Sequence, residues 1–325
     1  MKISANCRLR LASRHLGFAL ALALLPAASA ADKSYNTGSL GTAGDGTNSI
    51  SYGTVDVALN QPGAVPVPGD FSSAYTGGNV TTVPFRSELN PPSNQPFTIE
   101  FWARPSVSTN NNAPVACRVS AGNRSGWAFF QRAAGTGWNF VMYNGTGSAR
   151  GWDLTGGTAT LDAWSHVVAT WDGSAAALYV NGSKINAINA GNGAVGYNAS
   201  TSASFTVGNL FDSNSPFGGL LDEVAFYPTA LTATQISNHY TTISSTAPGA
   251  YSAMVLADGA VEYLQQNPPF ITITSSGDNK VLTFTGVLSQ STDLSAESWT
   301  DLNINSPYTI TPSQDAPQRF FRVHR

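Results

Sequence analysis

The run FTIEFWARP, Phe97 to Pro105, puts Phe97, Ile99, Phe101 and Ala103 on one side of an extended chain and Thr98, Glu100, Trp102 and Arg104 on the other. That alternation predicts a half-buried β-strand, with one side in a core and the more polar side toward water. The same grammar recurs between residues 35 and 228 in GWAFFQR, WNFVMYNG, SHVVATWDG, AALYVNG, SFTVGN and LLDEVAFY. Asp172-Gly173 and Asn181-Gly182 bracket SAAALYV, and Asn144-Gly145 follows FVMY. Such pairs supply the positive φ that tight turns between antiparallel strands need. Many short strands between Gly- and Asn-rich turns predict an all-β, two-sheet antiparallel sandwich. One short helix closes it. In ALTATQISNHY, Thr232 and Gln235 have capping-box spacing, and Leu231 and Ile236 have that of a hydrophobic staple.

Outward from that region the chain changes character at both ends. In residues 1–30, Lys2, Arg8, Arg10 and Arg14 precede the apolar LGFALALALLPAA and the small-residue run ASAAD, which predicts a secretory signal peptide. The apolar stretch is shorter than the roughly 20 residues a membrane-spanning helix needs. The mature chain is therefore expected to be exported and soluble, in a secreted, periplasmic or cell-surface location. It keeps one thiol, Cys117, expected to be a small buried apolar residue. Removing four bases leaves 12 Lys and Arg against 19 Asp and Glu, a formal charge of 12 − 19 = −7. That balance gives no basic footprint for nucleic acid or for an anionic membrane surface. At the other end, residues 244–268 are expected to form a linker with a short helical segment. Residues 269–325 return to strand patterns and predict a small C-terminal β module, with a hairpin at Gly277-Asp278-Asn279.

Three phrases, FTIEFWARP, WSHVVATWDGSAAALYVNG and FGGLLDEVAFYPTALTATQISNHY, resemble in order and spacing the laminin G-like, concanavalin A-like jelly-roll domains of secreted bacterial proteins. The resemblance covers residues 35–243 and implies one concave and one convex antiparallel sheet. It also implies a structural calcium ion, held by Asp222 on the closing strand and by backbone carbonyls of the opening segment. Asp45 and Asp70 are weaker candidates there. Oxygen-only ligation suits this hard cation.

Because the same superfamily includes glucanases, Asp222 and Glu223 have to be weighed as a catalytic pair. Retaining glycosidases place two carboxyl groups about 5 Å apart on one side of a sugar. Neighbours in a regular strand point to opposite faces, so these two are not expected to share a substrate. None of the 19 acids forms an i, i+2 pair, and HExxH, GxSxG and phosphate-loop patterns are missing. No catalytic residue is assigned, and His166 and His239 read as packing or capping residues. Sugar binding needs exposed rings. Trp152, in SARGWDLTGG, is the first candidate, Trp138 the second, and Trp102, beside Glu100 and Arg104, the third. Three functions stay open: a non-catalytic exported module recognising carbohydrate or a cell-surface or matrix partner, a structural or adhesive surface protein, and a glycoside hydrolase or lyase with an unrecognised site.

Overall fold

The computed structural model describes residues 7–12, 19–24, 33–50, 57–67, 70–108, 110–133, 137–185, 188–189, 197–247, 249–265, 271–277, 279–284, 287–292, 299–302, 304, 306–311 and 319–324. The chain divides into two compact units, Ala31–Gln266 and a second made of Met1–Ala30 with Asn267–Arg325.

Ala31–Gln266 is the expected antiparallel jelly roll. Its first sheet runs through Lys33–Asn36, Gly46–Ile50, Asn79–Val83, Phe205–Val207, Val115–Val119, Ser125–Gln131, Trp138–Tyr143, Arg150–Gly156 and Ile188–Asn189. The second runs through Glu262–Gln265, Gly219–Tyr227, Phe97–Pro105, Ser165–Trp171 and Ala176–Val180. Phe71–Tyr75 and Ala58–Pro62 lie alongside the first half of Gly219–Tyr227. The predicted inward residues Phe97, Ile99, Phe101 and Ala103 are all in the core, with Trp127, Phe129, Trp138, Phe140 and Phe226. Phe101 meets Phe129 edge-on at 4.9 Å. Cys117 is free and buried, as expected, and burial pushes its thiol up to about 12.

Two expectations need correction. The Phe97–Pro105 strand is buried on both sides, because Thr98, Glu100 and Trp102 are covered as well. Their cover is a helix pair, α1 (Ala233–Thr242) and α2 (Ala250–Ala257), whose Ile236, Tyr251 and Val255 pack with Trp102, Val168 and Tyr227. The capping box of Thr232 and Gln235 forms as read. Residues 244–268 are accordingly not a linker as far as they are described. Tyr251, Val255, Tyr263 and Leu264 carry enough apolar surface to be drawn in, and Glu262–Gln265 adds a strand between Gly219–Tyr227 and Lys33–Asn36.

In the second unit, Ile271–Ser276, Asn279–Phe284 and Tyr308–Ile310 form a three-stranded sheet. The predicted hairpin is its first pair, with Asp278 outside the described residues. A further sheet runs Ala19–Leu24, Cys7–Ala12, Phe320–His324, Val287–Ser291 and Thr300–Leu302. Leu282, Phe284, Leu288, Phe321 and Val323 form the core of this unit. Two stretches of the expected leader are thus strands here, and the rest of it lies outside the described residues. Among the described residues no helix is long and apolar enough to cross a membrane.

Candidate metal centre and ligand face

The Gly219–Tyr227 strand changes neighbour halfway. Up to Leu221 it pairs with Phe71–Tyr75, and from Val224 with Glu262–Gln265. At the switch its register against Phe97–Pro105 slips between Asp222 and Ala225, a β-bulge, and Glu223 sits at a φ of 52°. A left-handed residue inserted into a strand turns its side chain out of the alternating order. Asp222 and Glu223 therefore converge instead of parting, and with Asp70 they offer carboxylate oxygens all within 4.8 Å of one another. The expectation that these neighbours cannot cooperate holds for a regular strand and fails at this bulge.

Each carboxyl is oriented by fixed donors. Asp222 Oδ2 accepts from Ala64 N at 2.8 Å and Oδ1 from Glu223 N at 3.0 Å. Asp70 Oδ2 accepts from Val65 N at 3.0 Å. Tyr263 donates its hydroxyl to Glu223 Oε2, and Gln265 Nε2 donates to Tyr263 Oη at 3.0 Å. Gly63 is required here, since a Cβ at that position would come within 1.7 Å of Asp70 Oδ2. Asp222 is 4% exposed and Glu223 2%. Burial, followed by mutual repulsion, holds both well above the usual carboxylate range, and burial takes Asp70 up to about 6. Asp222 and Glu223, crowded out of water beside the partly exposed Asp70, must keep protons or share a cation. Their hard oxygen donors, each with lone pairs to spare, suit calcium. They do not suit a polysaccharide. The cavity touching Asp222 is about 10 Å³, room for one water.

Of the predicted metal residues the structure brings together Asp222 and Asp70 and leaves Asp45 out. Asp45 instead faces Glu262, while its Oδ1 accepts from Asn36 N at 3.0 Å. Glu262 is fully buried with neither carboxylate oxygen hydrogen-bonded, and burial, then Asp45, push it up to about 9. Glu223 and Tyr263 were missed. The bulge that turns Glu223 inward has no residue signature, and Tyr263 lay in the expected linker.

A second buried cluster sits under the helices. Glu100 accepts from His166 Nε2, His239 Nδ1 and Tyr227 Oη, each at 2.8 Å, and from Tyr251 Oη at 2.6 Å. His239 Nε2 faces Asp258 Oδ2 at 2.8 Å. With a carboxylate at both ring nitrogens, His239 is an imidazolium. Burial opposes its charge, but the bonds to Glu100 and Asp258 win and raise its pKa. Burial would also raise Glu100, yet the two histidines hold it well below the usual range.

The tryptophans do not form a sugar platform. Trp138 is fully buried, and Trp102, at 3% exposure, packs with the rings of His166 and Tyr240, with its Nε1 donating to Tyr251 Oη at 2.8 Å. Trp152 is partly buried against the core, edge-on to Trp171 at 5.9 Å. The sequence-derived sites at Trp102 and Trp138 are corrected accordingly. Alternation told their side but not what covers it. On the outer side of the first sheet Ala116, Ala128, Phe130, Val141 and Tyr143 form a further buried cluster with Ala113 and Leu210.

The family described as the concanavalin A-like lectin/glucanases superfamily (Laminin_G_3) matches residues 76–237. No curated protein matches the sequence. Among solved structures, domain 4 of AbnA, a GH43 extracellular arabinanase from Geobacillus stearothermophilus in complex with arabinotriose, is 16% identical with a TM-score of 0.42, covering 64% of this chain and 97% of that one. The binding domain of botulinum neurotoxin DC in complex with rat synaptotagmin II is 14% identical with a TM-score of 0.47, covering 84% and 78%. A heptameric SAP-like pentraxin from Limulus polyphemus is 19% identical with a TM-score of 0.37, covering 58% and 82%.

Proposed function

We propose that this chain, whose residues 76–237 match the concanavalin A-like lectin/glucanases superfamily, acts as an exported, non-catalytic module that recognises carbohydrate through the outer side of its first sheet. One observation carries the reading. The outer face of the second sheet is sealed by α1 and α2, whereas the first sheet's outer side, closed at its centre by the buried Ala116, Ala128 and Val141, keeps Arg124 and Arg132 partly exposed beside Tyr143 and Phe130. The converging acids are not read as an active site, because Asp222 and Glu223 are buried. Their part in the proposal is structural. A calcium ion among Asp70, Asp222 and Glu223 would fasten the closing strand to the Ala64–Val65 segment that already donates to them. Export rests on the leader sequence.

Screening the purified protein on a glycan array and by pull-down on envelope polysaccharide tests recognition, and blank results at high protein concentration overturn it. Release of reducing sugar from a polysaccharide panel would overturn the non-catalytic part. Metal content and melting with and without chelator test the calcium, and an unchanged midpoint with no metal in the protein removes it.

A further inference from the structure

We propose that the strand Ile271–Ser276 of the second unit is a docking edge for the same strand of a second copy of this chain, and that two chains join there about a two-fold axis into one continuous sheet. The inference does not depend on the recognition reading above. In its three-stranded sheet this strand pairs with Asn279–Phe284 on one side, and among the described residues no strand lies on the other. Its sequence, ITITSS, holds four β-branched residues and neither charge nor proline. Such a run favours extended pairing, and charge and proline are the usual guards of an open edge. The unit's other edges are shorter or charged. Tyr308–Ile310 and Thr300–Leu302 have three residues each, the second with Asp301. The edge that the leader strand Cys7–Ala12 covers, Phe320–His324, contains Arg322.

The phase of the ladder shows which backbone groups the edge offers. Phe284, paired with Ile271, donates its N–H to Ser306 Oγ at 2.9 Å, on the side of the Tyr308–Ile310 strand. Ile271 and Phe284 are therefore a pair that exchanges no bonds, and in an antiparallel ladder such pairs alternate with exchanging ones. Ile271, Ile273 and Ser275 accordingly turn their N–H and C=O groups to the open edge. A second copy laid antiparallel with Ile273 opposite Ile273 places Ile271 opposite Ser275 and Thr272 opposite Thr274. Every outward N–H and C=O of Ile271, Ile273 and Ser275 then finds a partner, and no charge meets a charge.

Three features select a second copy over a foreign strand. The register is self-complementary, so a single contact uses the same edge on both chains and closes the pair. Ile271 and Ile273 are only half-buried, packed against the core built on Leu282 and Phe284. The two-fold arrangement sets Ile273 against Ile273 on that same side of the sheet, so the apolar row runs on from one core to the next. A strand bearing Asp, Glu, Lys or Arg finds no counter-charge on this one. The contact is small beside the roughly 800 Å² per partner of a standard interface, so association is weak and concentration-dependent. Its use is bivalence, since one pair of chains carries two jelly rolls to a repeating surface.

The test is analytical sedimentation of the purified protein over a thousandfold range of concentration. The weight-average mass should climb toward that of two chains and no further. Ser275 is exposed, and its edge-facing N–H is not used by the Asn279–Phe284 strand. Ser275→Pro should therefore leave the melting temperature of the dilute protein unchanged and weaken association at least tenfold, while Ser275→Ala, which keeps the N–H, should associate like the parent. Hydrogen exchange needs no variant: the amides of Ile271, Ile273 and Ser275 should exchange several-fold more slowly in concentrated than in dilute protein. If the proline lowers the melting temperature, that comparison decides. A constant monomer mass, equal exchange at both concentrations, a folded proline variant that associates as tightly as the parent, or an alanine variant that stays monomeric overturns the proposal, and so does growth beyond two chains. Carbohydrate recognition is read on the glycan array and stands or falls separately.

Discussion

Replacing His239 with Gln should loosen the helix pair from the second sheet by an amount the buried geometry sets. His239 stands on α1 between Glu100 of the Phe97–Pro105 strand and Asp258, which follows α2, at 2.8 Å from each. His166 and Tyr227 from the sheet and Tyr251 from α2 also converge on Glu100. Gln keeps polarity but not charge, leaving Glu100 and Asp258 without their cation. Removing one partner of a buried ion pair costs about 3–5 kcal/mol. For a domain of this size that lowers the melting temperature by about 6–20 °C, since each kcal/mol moves it by roughly 2–4 °C.

The sign of the pH dependence follows from the direction of each shift. His239 is raised above 6.5, so its contribution is complete below that pH and disappears as pH climbs through its folded value. Glu100 is depressed below 4.5, so its contribution is complete above that pH and is lost only in stronger acid. Circular-dichroism melts at pH 5.5 and pH 9 should therefore show the His239→Gln deficit large at the lower pH and smaller at the higher. Groups such as Glu262 shift both proteins alike and cancel in the difference. A variant melting within 2 °C of the parent at pH 5.5, or a deficit equal at the two values, would refute the assignment of a charged His239.

Three further outcomes follow from the same packing. Glu262 binds its proton more tightly folded than unfolded, so stability falls as pH rises from 4.5 toward about 9; Glu262→Gln should stabilise by about 3 kcal/mol at pH 7, and parallel melting-versus-pH curves would refute it. Asn36 donates to Gly41 O and Val261 O and accepts from Gly38 N and Tyr263 N, so Asn36→Ala should cost about 2–4 kcal/mol in a urea titration; a change under 1 kcal/mol would contradict that. Calcium at about 100 times its Kd should stabilise the parent by about 2.7 kcal/mol and Asp222→Asn with Glu223→Gln not at all; an equal rise in both places the ion elsewhere.

What the sequence made legible is what depends on periodicity. Inward residues of FTIEFWARP, the turns at Asp172-Gly173 and Asn181-Gly182, and the box at Thr232 and Gln235 are consequences of local geometry, and the fold repeats them. The site depended on departures from periodicity. No glycine marks the bulge, so Glu223 was read as facing away from Asp222. Trp102 looked available because its strand face is polar, yet the cover, Tyr251, comes from 149 residues further along the chain.

The bulge also joins two properties that look independent. A strand that keeps one neighbour throughout has no reason to break its pleat. Gly219–Tyr227 has Phe71–Tyr75 beside it before Asp222 and Glu262–Gln265 after Glu223, so the acids lie at the seam between two segments far apart in sequence. Asp70 enters the seam from just ahead of the first segment, and Tyr263 of the second donates to Glu223. Charge in the centre must therefore act on how firmly Glu262–Gln265 is docked. Three unneutralised carboxylates push apart the elements that present them, while a shared cation draws them together. Docking of that strand also buries Glu262 and brings α2 over Trp102. Burial of Asp222 and Glu223 at that seam therefore ties the protonation or metal loading of the acids to the fold's closure.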